Sequence, residues 1–520
     1  MARATSLATT GQASSGNNTK QSSKLNSWFF LLGAVALLLF ADGRNTIALA
    51  AWLAPMCLLR FVRTQPATRG VILAYAGLVV TRGIAFRGMT PIPGIFYYIF
   101  LLISAISAVL PYAMDRWLGP YLRGVTRTLV FPVVLVVTQF IYAHGPLGSW
   151  GSIAYTQSGN LPLLELLSVT GLWGIVFLIG WFAAVASERL AEGLRDPGAL
   201  RGPALFAGVY LAVVLLGGAR LALFPPASKT VRVASLSPAK TGPAISDELL
   251  KAVIAGQATE AEIAQFRAAT GATQDELLAR SEREARAGAK IIFWSEEGAF
   301  VLKDSEDELL QRGRSLASKY GIYLGMSLAT WTPKQLHPLE NKLVLIEPTG
   351  EIAWQYLKSR PTPGPEAAMA VTGDNKLRLF DTGDDTGYGR LSAAICYDTD
   401  FPGLMRQAGA LQTGIMLSPA SDWRGIDPRH TEIASFRAIE QGFNLVRQAN
   451  NGSSAAYDYQ GHRLASMDEF QSADLTLISQ VPTLGVRTLY SRLGDWFAWL
   501  CCGALPFLLV RAWRTRGESE

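Results

Sequence analysis

Three separated segments carry side chains suited to acyl chemistry. Ser392-Ala-Ala-Ile-Cys-Tyr-Asp-Thr-Asp-Phe-Pro402 runs as an apolar strand into Cys396 and then into a polar turn. A thiol at a strand end is held rigidly over a cleft, and its thiolate is a nucleophile once a base or cation makes it available. Glu296 and Glu297 follow the apolar run Ile291-Ile-Phe-Trp294 and Ser295. A carboxylate at the end of a buried strand is desolvated, which moves its pKa toward that of a useful general base. Lys358 ends the strand-like Ile352-Ala-Trp-Gln-Tyr-Leu357, where an ammonium can stabilise a developing oxyanion. Glu366 follows in a loop rich in Pro and Gly, Pro361 to Pro365, and such loops often hold functional groups. Taken singly, each has a plainer reading: a structural buried cysteine, a solvated loop glutamate, an exposed strand-end lysine.

Other chemistries find little support. The four histidines, His144, His337, His430 and His462, lie far apart, and neither HExxH nor CxxC spacing occurs, so no metal site and no cofactor are expected. Cys57, Cys501 and Cys502 sit in apolar stretches, away from Cys396, which suggests no disulfide framework. There is no Walker A loop and no GxSxG elbow.

The elements that must position these residues alternate in type. Val231–Leu236 and Ile291–Trp294 read as strands; 246–289 reads as helical, broken near Gly271; helix 304–319 precedes strand 321–328. Lys342–Gly350 followed by Ile352–Leu357 reads as a hairpin around Pro-Thr-Gly. Further strands fit at 376–380, 391–396, 414–418, 443–448 and 453–458, and helices at 402–410 and 428–441. The mixture predicts an α/β layered domain.

Upstream the chain is of another kind. Hydrophobic residues make up 49% and charged residues 17% of the 520, against roughly 25% charged in soluble domains, and the mean hydropathy is +0.21. Apolar runs at 27–41, 46–61, 70–86, 93–114, 126–144, 164–186, 203–224 and 493–510 predict about eight membrane spans. Residues 1–25, rich in Ser, Thr, Gly and Asn, read as a disordered tail. The domain plan is therefore a tail (1–25), a bundle of about seven helices (26–224), a layered domain (228–485), a last span (490–512) and a short cytoplasmic end (513–520). Arginines cluster at 60–69, 116–127, 189–201 and 511–516 and are sparse in the alternate loops. Positive charge holds loops in the cytoplasm, which puts both termini inside and the layered domain outside. The net charge of +6 is explained this way without a nucleic-acid partner.

The ordered pieces Trp294-Ser-Glu296, Asn341-Lys-Leu-Val-Leu-Ile-Glu-Pro-Thr-Gly350, Tyr356-Leu-Lys358 and Ile395-Cys-Tyr-Asp398 together resemble the nitrilase (carbon–nitrogen hydrolase) superfamily. The combination with eight spans looks like the bacterial apolipoprotein N-acyltransferase family. Gly145–Gln157, Gly171-Leu-Trp-Gly-Ile-Val176, Ser421-Asp-Trp-Arg-Gly425, Arg437-Ala-Ile-Glu440, Arg447 and Asn450–Ser454 are similar to that family's segments. The resemblance implies an α-β-β-α sandwich beside the polytopic helical bundle, with Glu296 as general base, Lys358 as oxyanion partner and Cys396 as nucleophile. It implies supporting roles for Glu366, Tyr397 and Asp398, and substrate-binding roles for Trp294 and Trp423. It further implies a phospholipid acyl donor, a lipoprotein acceptor and a bacterial cytoplasmic membrane with the sandwich on its outer side. Three departures stand out: Ser295 and Glu297 flank the base where the family has Pro and Thr, Asp398 replaces a glutamate, and Ser359–Pro365 replaces an apolar loop. A membrane-tethered amidase or hydrolase, and a non-catalytic membrane scaffold, remain alternatives at this level.

Overall fold

The computed structural model describes residues 15–92, 94–192, 200–240, 245–383 and 387–517. Among these, six helices are long and apolar enough to cross a membrane: Ala67–Ala85, Gly94–Tyr121, Val125–Ala143, Leu172–Ala191, Arg201–Leu223 and Trp496–Gly517. The other two expected spans are shorter. The run at 27–41 is the apolar end, Ser27–Leu38, of a helix that begins at Ser15, and the run at 46–61 is the 17-residue helix Ala48–Thr64. The tail expected over 1–25 thus overlaps helical backbone from Ser15, and its first fourteen positions lie outside the described residues. The span expected at 164–186 is interrupted at Gly171, before Leu172–Glu192. The one expected at 490–512 is divided at Gly494 into Leu489–Leu493 and Trp496–Gly517. The second of these carries the helix through the expected cytoplasmic end, and residues 518–520 lie outside the described set.

The layered region holds thirteen strands among the described residues. The first sheet takes β1 (Thr230–Leu236), β2 (Ile291–Trp294), β3 (Ala299–Leu302), β4 (Tyr323–Trp331), β5 (Leu339–Ile346), β6 (Ile352–Leu357) and β13 (Thr476–Pro482). Its order is β13-β1-β2-β4-β5-β6, with β3 also on β4. The pairs β1–β2 and β2–β4 are parallel, and the hairpin β5–β6 is antiparallel. The second sheet takes β7 (Leu379–Asp381), β8 (Arg390–Ala393), β9 (Ile415–Ser421), β10 (Asn444–Asn450), β11 (Ser453–Tyr457) and β12 (Arg463–Asp468). Its order is β12-β11-β10-β9-β8-β7, with β8, β9 and β10 parallel.

The two sheets face each other. Val233, Phe293 and Leu345 of the first share one core with Leu391, Met416 and Leu445 of the second. The outer face of the first sheet is covered by helices Glu260–Arg286 and Glu306–Tyr320 through Leu277, Leu309, Leu310 and Ala317. Helices Pro402–Ala410 and Arg429–Gln441 cover the second sheet. The result is an α-β-β-α sandwich, in which every catalytic candidate lies at or just past a strand end.

One helix boundary differs from expectation for a local reason. The break expected near Gly271 falls instead at Gly256, which caps Asp247–Ala255 at φ +64°, a backbone region that glycine enters freely. Thr259 then starts the next helix with a reciprocal capping box to Glu262, and that helix runs unbroken through Gly271.

Helix Arg429–Gln441 joins the sandwich to the bundle. Ala434 and Ala438 face the sheets, while Ile433, Phe436 and Ile439 enter the bundle's core beside Tyr155 and Trp173. The buried Arg437 guanidinium lies 3.2 Å from Glu440 and donates to the Tyr155 hydroxyl at 3.1 Å. Glu440 in turn accepts from the Leu172 N–H at 3.0 Å.

Candidate active site

Strand ends from both sheets converge. Glu296, two residues past β2, is 2% exposed. Its Oε1 accepts from Lys358 Nζ at 2.7 Å and from Asn341 Nδ2 at 2.8 Å, and its Oε2 accepts from the Ser421 N–H at 2.7 Å. Lys358, the residue after β6, is equally buried. A second carboxylate, Glu366 at the start of the short helix Pro365–Met369, takes Lys358 Nζ at 2.7 Å, Asn341 Nδ2 at 3.0 Å and the Thr362 N–H at 2.8 Å. Two of the ammonium's three donors are thereby engaged, leaving one.

Electrostatics follow from this geometry. Burial opposes the charge on Lys358, but Glu296 and Glu366 outweigh it and hold the ammonium well above the ordinary lysine value. Burial alone would raise Glu366, yet Lys358, Thr362 and Asn341 bring it below the usual carboxylate range. Glu297 lies beside this cluster with a left-handed φ of +53°, and for it the Lys358 charge is outweighed. Burial and the charges of Glu296 and Glu366 push it up to about 8.

Cys396 opens the turn Cys396–Asp400 after β8, with φ at +48°. A non-glycine residue there costs roughly 1–3 kcal/mol, and such strain concentrates at functional positions. Its sulfur is 3.8 Å from the carbonyl of Ser421, the same residue whose N–H binds Glu296. Burial raises the thiol's pKa, Glu296 raises it further, and Lys358 and His430 act against both.

Asp398 holds the turn together. Its two oxygens accept from the Ser359 N–H at 3.1 Å, the Arg360 N–H at 2.8 Å, the Tyr356 hydroxyl at 2.7 Å and the Ile395 N–H at 3.0 Å. The residue therefore ties the chain after Lys358 to the chain before Cys396. Burial lifts its carboxyl to about 6. Tyr397 points toward the bundle, donating to the Pro146 carbonyl at 3.2 Å. In the same loop Ser149 donates to the Asp400 carbonyl through N–H and Oγ, both at 2.8 Å. Gly148 is needed for that contact: its φ is +57°, and a Cβ would lie 2.4 Å from the Asp400 oxygen.

The two tryptophans part company. Trp423 is half-buried on the bundle side, donating to the Gly88 carbonyl at 2.8 Å and lying beside Phe86, Phe100 and Trp150. Trp294 does not fit the expected substrate-binding role. Its ring is fully buried between the first sheet and the covering helices, bonded to Ser281 at 3.0 Å. Side chains alternate across a strand, so Trp294 faces the helix layer while Phe293 faces the second sheet.

Sequence reasoning assigned no role to Asn341, which bridges the two glutamates, nor to the buried group Asp422, His430 and Arg447 near the sulfur. Asp422 and Arg447 stood in segments singled out by resemblance. For His430 the sequence held no signal, since its partners are remote in the chain.

Comparison with known proteins adds context. Residues 261–488 match the carbon-nitrogen hydrolase family. An apolipoprotein N-acyltransferase of Geobacter metallireducens is 26% identical over 86% of this chain and 86% of its own. One of Bradyrhizobium diazoefficiens is 27% identical over 78% of this chain and 77% of its own. Among solved structures, an amidase from Nesterenkonia sp. covers 49% of this chain and 92% of its own, at 19% identity and a TM-score of 0.38.

Proposed function

We propose that this chain, a carbon-nitrogen hydrolase domain on a membrane bundle with apolipoprotein N-acyltransferases as relatives over most of its length, is an acyltransferase of that kind. The observation that carries the reading is the buried meeting of Glu296 and Lys358, 2.7 Å apart on different strands, beside a strained Cys396.

The reaction runs in two halves. Glu296 takes the Cys396 proton as the sulfur attacks the ester carbonyl of a phospholipid. The unengaged donor of Lys358 meets the tetrahedral oxyanion. The lyso-lipid alkoxide leaves with the proton from Glu296, and a thioester remains on Cys396. The free amine of a diacylglyceryl-cysteine lipoprotein then attacks. Glu296 accepts its proton, sulfur leaves as thiolate, and the amide departs. Glu366 and Asn341 fix the ammonium and the base throughout.

A membrane setting for both substrates has a physical counterpart. A cleft between the bundle helices is lined by Leu78, Arg82, Phe86, Ser104, Tyr112 and Trp150, and it reaches Ser149 in the loop bonded to Asp400. The arginine distribution supports an orientation with the sandwich on the outer side, and the bacterial sources of the relatives support a bacterial cytoplasmic membrane.

The test is mass spectrometry of the full chain purified from its native membranes. An acyl adduct on the Cys396 peptide is expected, absent in Cys396→Ala. It should vanish on addition of a diacylglyceryl-cysteine peptide as the peptide's amide appears. Release of free acid or ammonia without amide would instead make the protein a membrane-tethered hydrolase.

A further inference from the structure

Beside the sulfur, away from the Lys358 carboxylates, lies a second buried charged group that the two-step scheme does not use. One donor atom each from Cys396, Asp422 and His430 falls within 4.8 Å of the others. That donor set would suit a soft divalent metal, but a cation is already in place. Arg447, fully buried, donates to Asp422 at 3.0 and 3.3 Å, and its Nη2 lies 2.9 Å from His430 Nδ1. The guanidinium makes the position hostile to a metal ion.

The ring of His430 has a carboxylate at each nitrogen. Nδ1 is 2.7 Å from Asp422 Oδ1, and Nε2 is 3.5 Å from Asp400 Oδ1. Nδ1 faces both the Asp422 oxygen at 2.7 Å and the Arg447 Nη2 donor at 2.9 Å. Arg447 Nη2 has the Asp422 carboxylate as an alternative acceptor, whereas a bare Nδ1 would press its lone pair against the nearer Asp422 oxygen, so Nδ1 carries hydrogen and donates to Asp422. Asp400 is 1% exposed, and among the described residues neither carboxylate oxygen has a hydrogen-bond partner within normal range. A buried carboxylate without a donor is costly, and the proton that relieves it is one on Nε2. Both nitrogens then bear hydrogen and the ring is an imidazolium. With it, Asp400 and Asp422 are balanced by His430 and Arg447. Without it, the group carries an uncompensated buried negative charge next to a sulfur that must itself become negative. The remaining charged neighbours on the same helix are Arg429, bonded to the Tyr155 carbonyl at 2.7 Å, Glu432, 3.4 Å from Arg429, and Arg437, whose charge also acts on Asp400 but is paired with Glu440 at 3.2 Å.

We infer that His430 is a positioning residue that holds positive charge beside the Cys396 sulfur, making it a better nucleophile in the first half-reaction and a better leaving group in the second. The inference rests on the thioester reading for its purpose. The direction of the ring's pKa agrees: burial and Arg447 oppose a second proton, and Asp400 and Asp422 outweigh them, keeping it well above the ordinary value. His430 moves no proton in the reaction. Its charge acts on the thiolate, while Glu296 carries the proton in both halves.

Thiolate formation can be read without lipid or acceptor, so this test is independent of the transfer reaction. The full chain in detergent is alkylated with iodoacetamide across pH, and the rate is taken from the Cys396 peptide by mass spectrometry, separate from Cys57, Cys501 and Cys502. His430→Gln should raise the midpoint by at least about one pH unit, which is about tenfold slower alkylation at neutral pH. His430→Lys should restore much of it. A folded His430→Gln protein with an unmoved midpoint overturns the inference. Should that variant fail to fold, the wild-type protein still decides. In solid-state ¹⁵N NMR of the histidine-labelled chain in lipid, one of the four rings should keep both protons at pH 8 and should shift when Cys396 is alkylated. Four neutral rings at that pH would equally overturn it. A midpoint that moves as expected in a protein that transfers no acyl chain would leave this inference standing and remove the acyltransferase reading instead.

Discussion

Replacing Lys358 by methionine separates what the lysine does for stability from what it does for chemistry. The side chains are of similar length, so the change removes charge more than volume. In the wild type the ammonium sits 2.7 Å from both Glu296 and Glu366. Without it two buried carboxylates face each other with the Asn341 amide as their shared donor. Breaking a buried ion pair from one side costs about 3–5 kcal/mol, because the remaining charge is left unpaired. For a domain of 150–250 residues each kcal/mol is worth roughly 2–4 °C, so the sandwich should lose on the order of 10 °C in thermal unfolding.

The sign of the pH dependence follows. In Lys358→Met the freed carboxylates have folded-state pKa values raised above their unfolded ones, by burial and by each other. Stability is then greatest below the unfolded carboxylate value and is lost as pH rises. The deficit relative to wild type should shrink toward pH 5. Loss of one oxyanion donor costs about 10²–10³ in rate, so Cys396 acylation by a phospholipid should fall at least about a hundredfold. Adding Glu366→Gln removes one of the two facing charges and should recover much of the melting temperature while leaving the rate low. If Lys358→Met keeps more than about a tenth of the acylation rate, the lysine is structural. If the double variant recovers rate together with stability, the oxyanion role fails.

Glu297→Gln tests the cluster from its other side. The Glu297 carboxyl is raised to about 8, so its favourable contribution is present below the unfolded value near 4.5 and is lost as pH climbs through 8. The variant's melting temperature should therefore fall less than the wild type's between pH 6 and 9, and parallel curves would contradict this. Asp398→Glu should destabilise by about 1–3 kcal/mol, since an added methylene must enter a fully buried position whose four donors are already placed. An unchanged melt would show that the turn has slack.

Legibility in the sequence followed the range of the physics. Strands such as Ile291–Trp294 and the hairpin around Pro-Thr-Gly were readable because burial and turn chemistry are written locally. β3, β12 and β13 were not. β13 finds its place beside β1, and that pairing of Leu236 with Thr476 is decided by tertiary contact rather than local pattern. The helix break was misplaced because Gly271 has open space and an ordinary helical backbone, whereas Gly256 lies where a left-handed cap is required. In the site, Glu296, Lys358 and Cys396 were visible as polar residues at strand ends and Glu366 as a carboxylate in a Pro- and Gly-rich loop. The structure brings Glu296, Lys358 and Glu366 into contact, with the Cys396 sulfur 3.8 Å from the Ser421 carbonyl beside them. Trp294 was misassigned because nearness to Glu296 in sequence does not fix the face of its own strand: β2 ends at Trp294, which as the neighbour of Phe293 points to the helix layer. His430 and Asp400 were invisible because their meaning lies in each other's position.

The bundle is better understood as part of the catalytic domain's core than as its tether. An anchor would need only a linker, yet Ile433, Phe436 and Ile439 sit at 2% exposure or less within the bundle's apolar cluster. The same helix places His430 at its first turn beside the sulfur and Arg437 and Glu440 among bundle residues. The turn that Cys396 opens is held in the same way, with the Asp400 carbonyl receiving two bonds from Ser149 and the Tyr397 hydroxyl bonded to Pro146. Burying Arg437 and Glu440 is costly unless the pair is well bonded, and part of that bonding, the Tyr155 hydroxyl and the Leu172 N–H, comes from the bundle side. The position of Cys396 is thus determined jointly by the sandwich and by the helical bundle. On the proposed acyltransferase reading, that joint placement is what would let a bilayer lipid reach a buried sulfur.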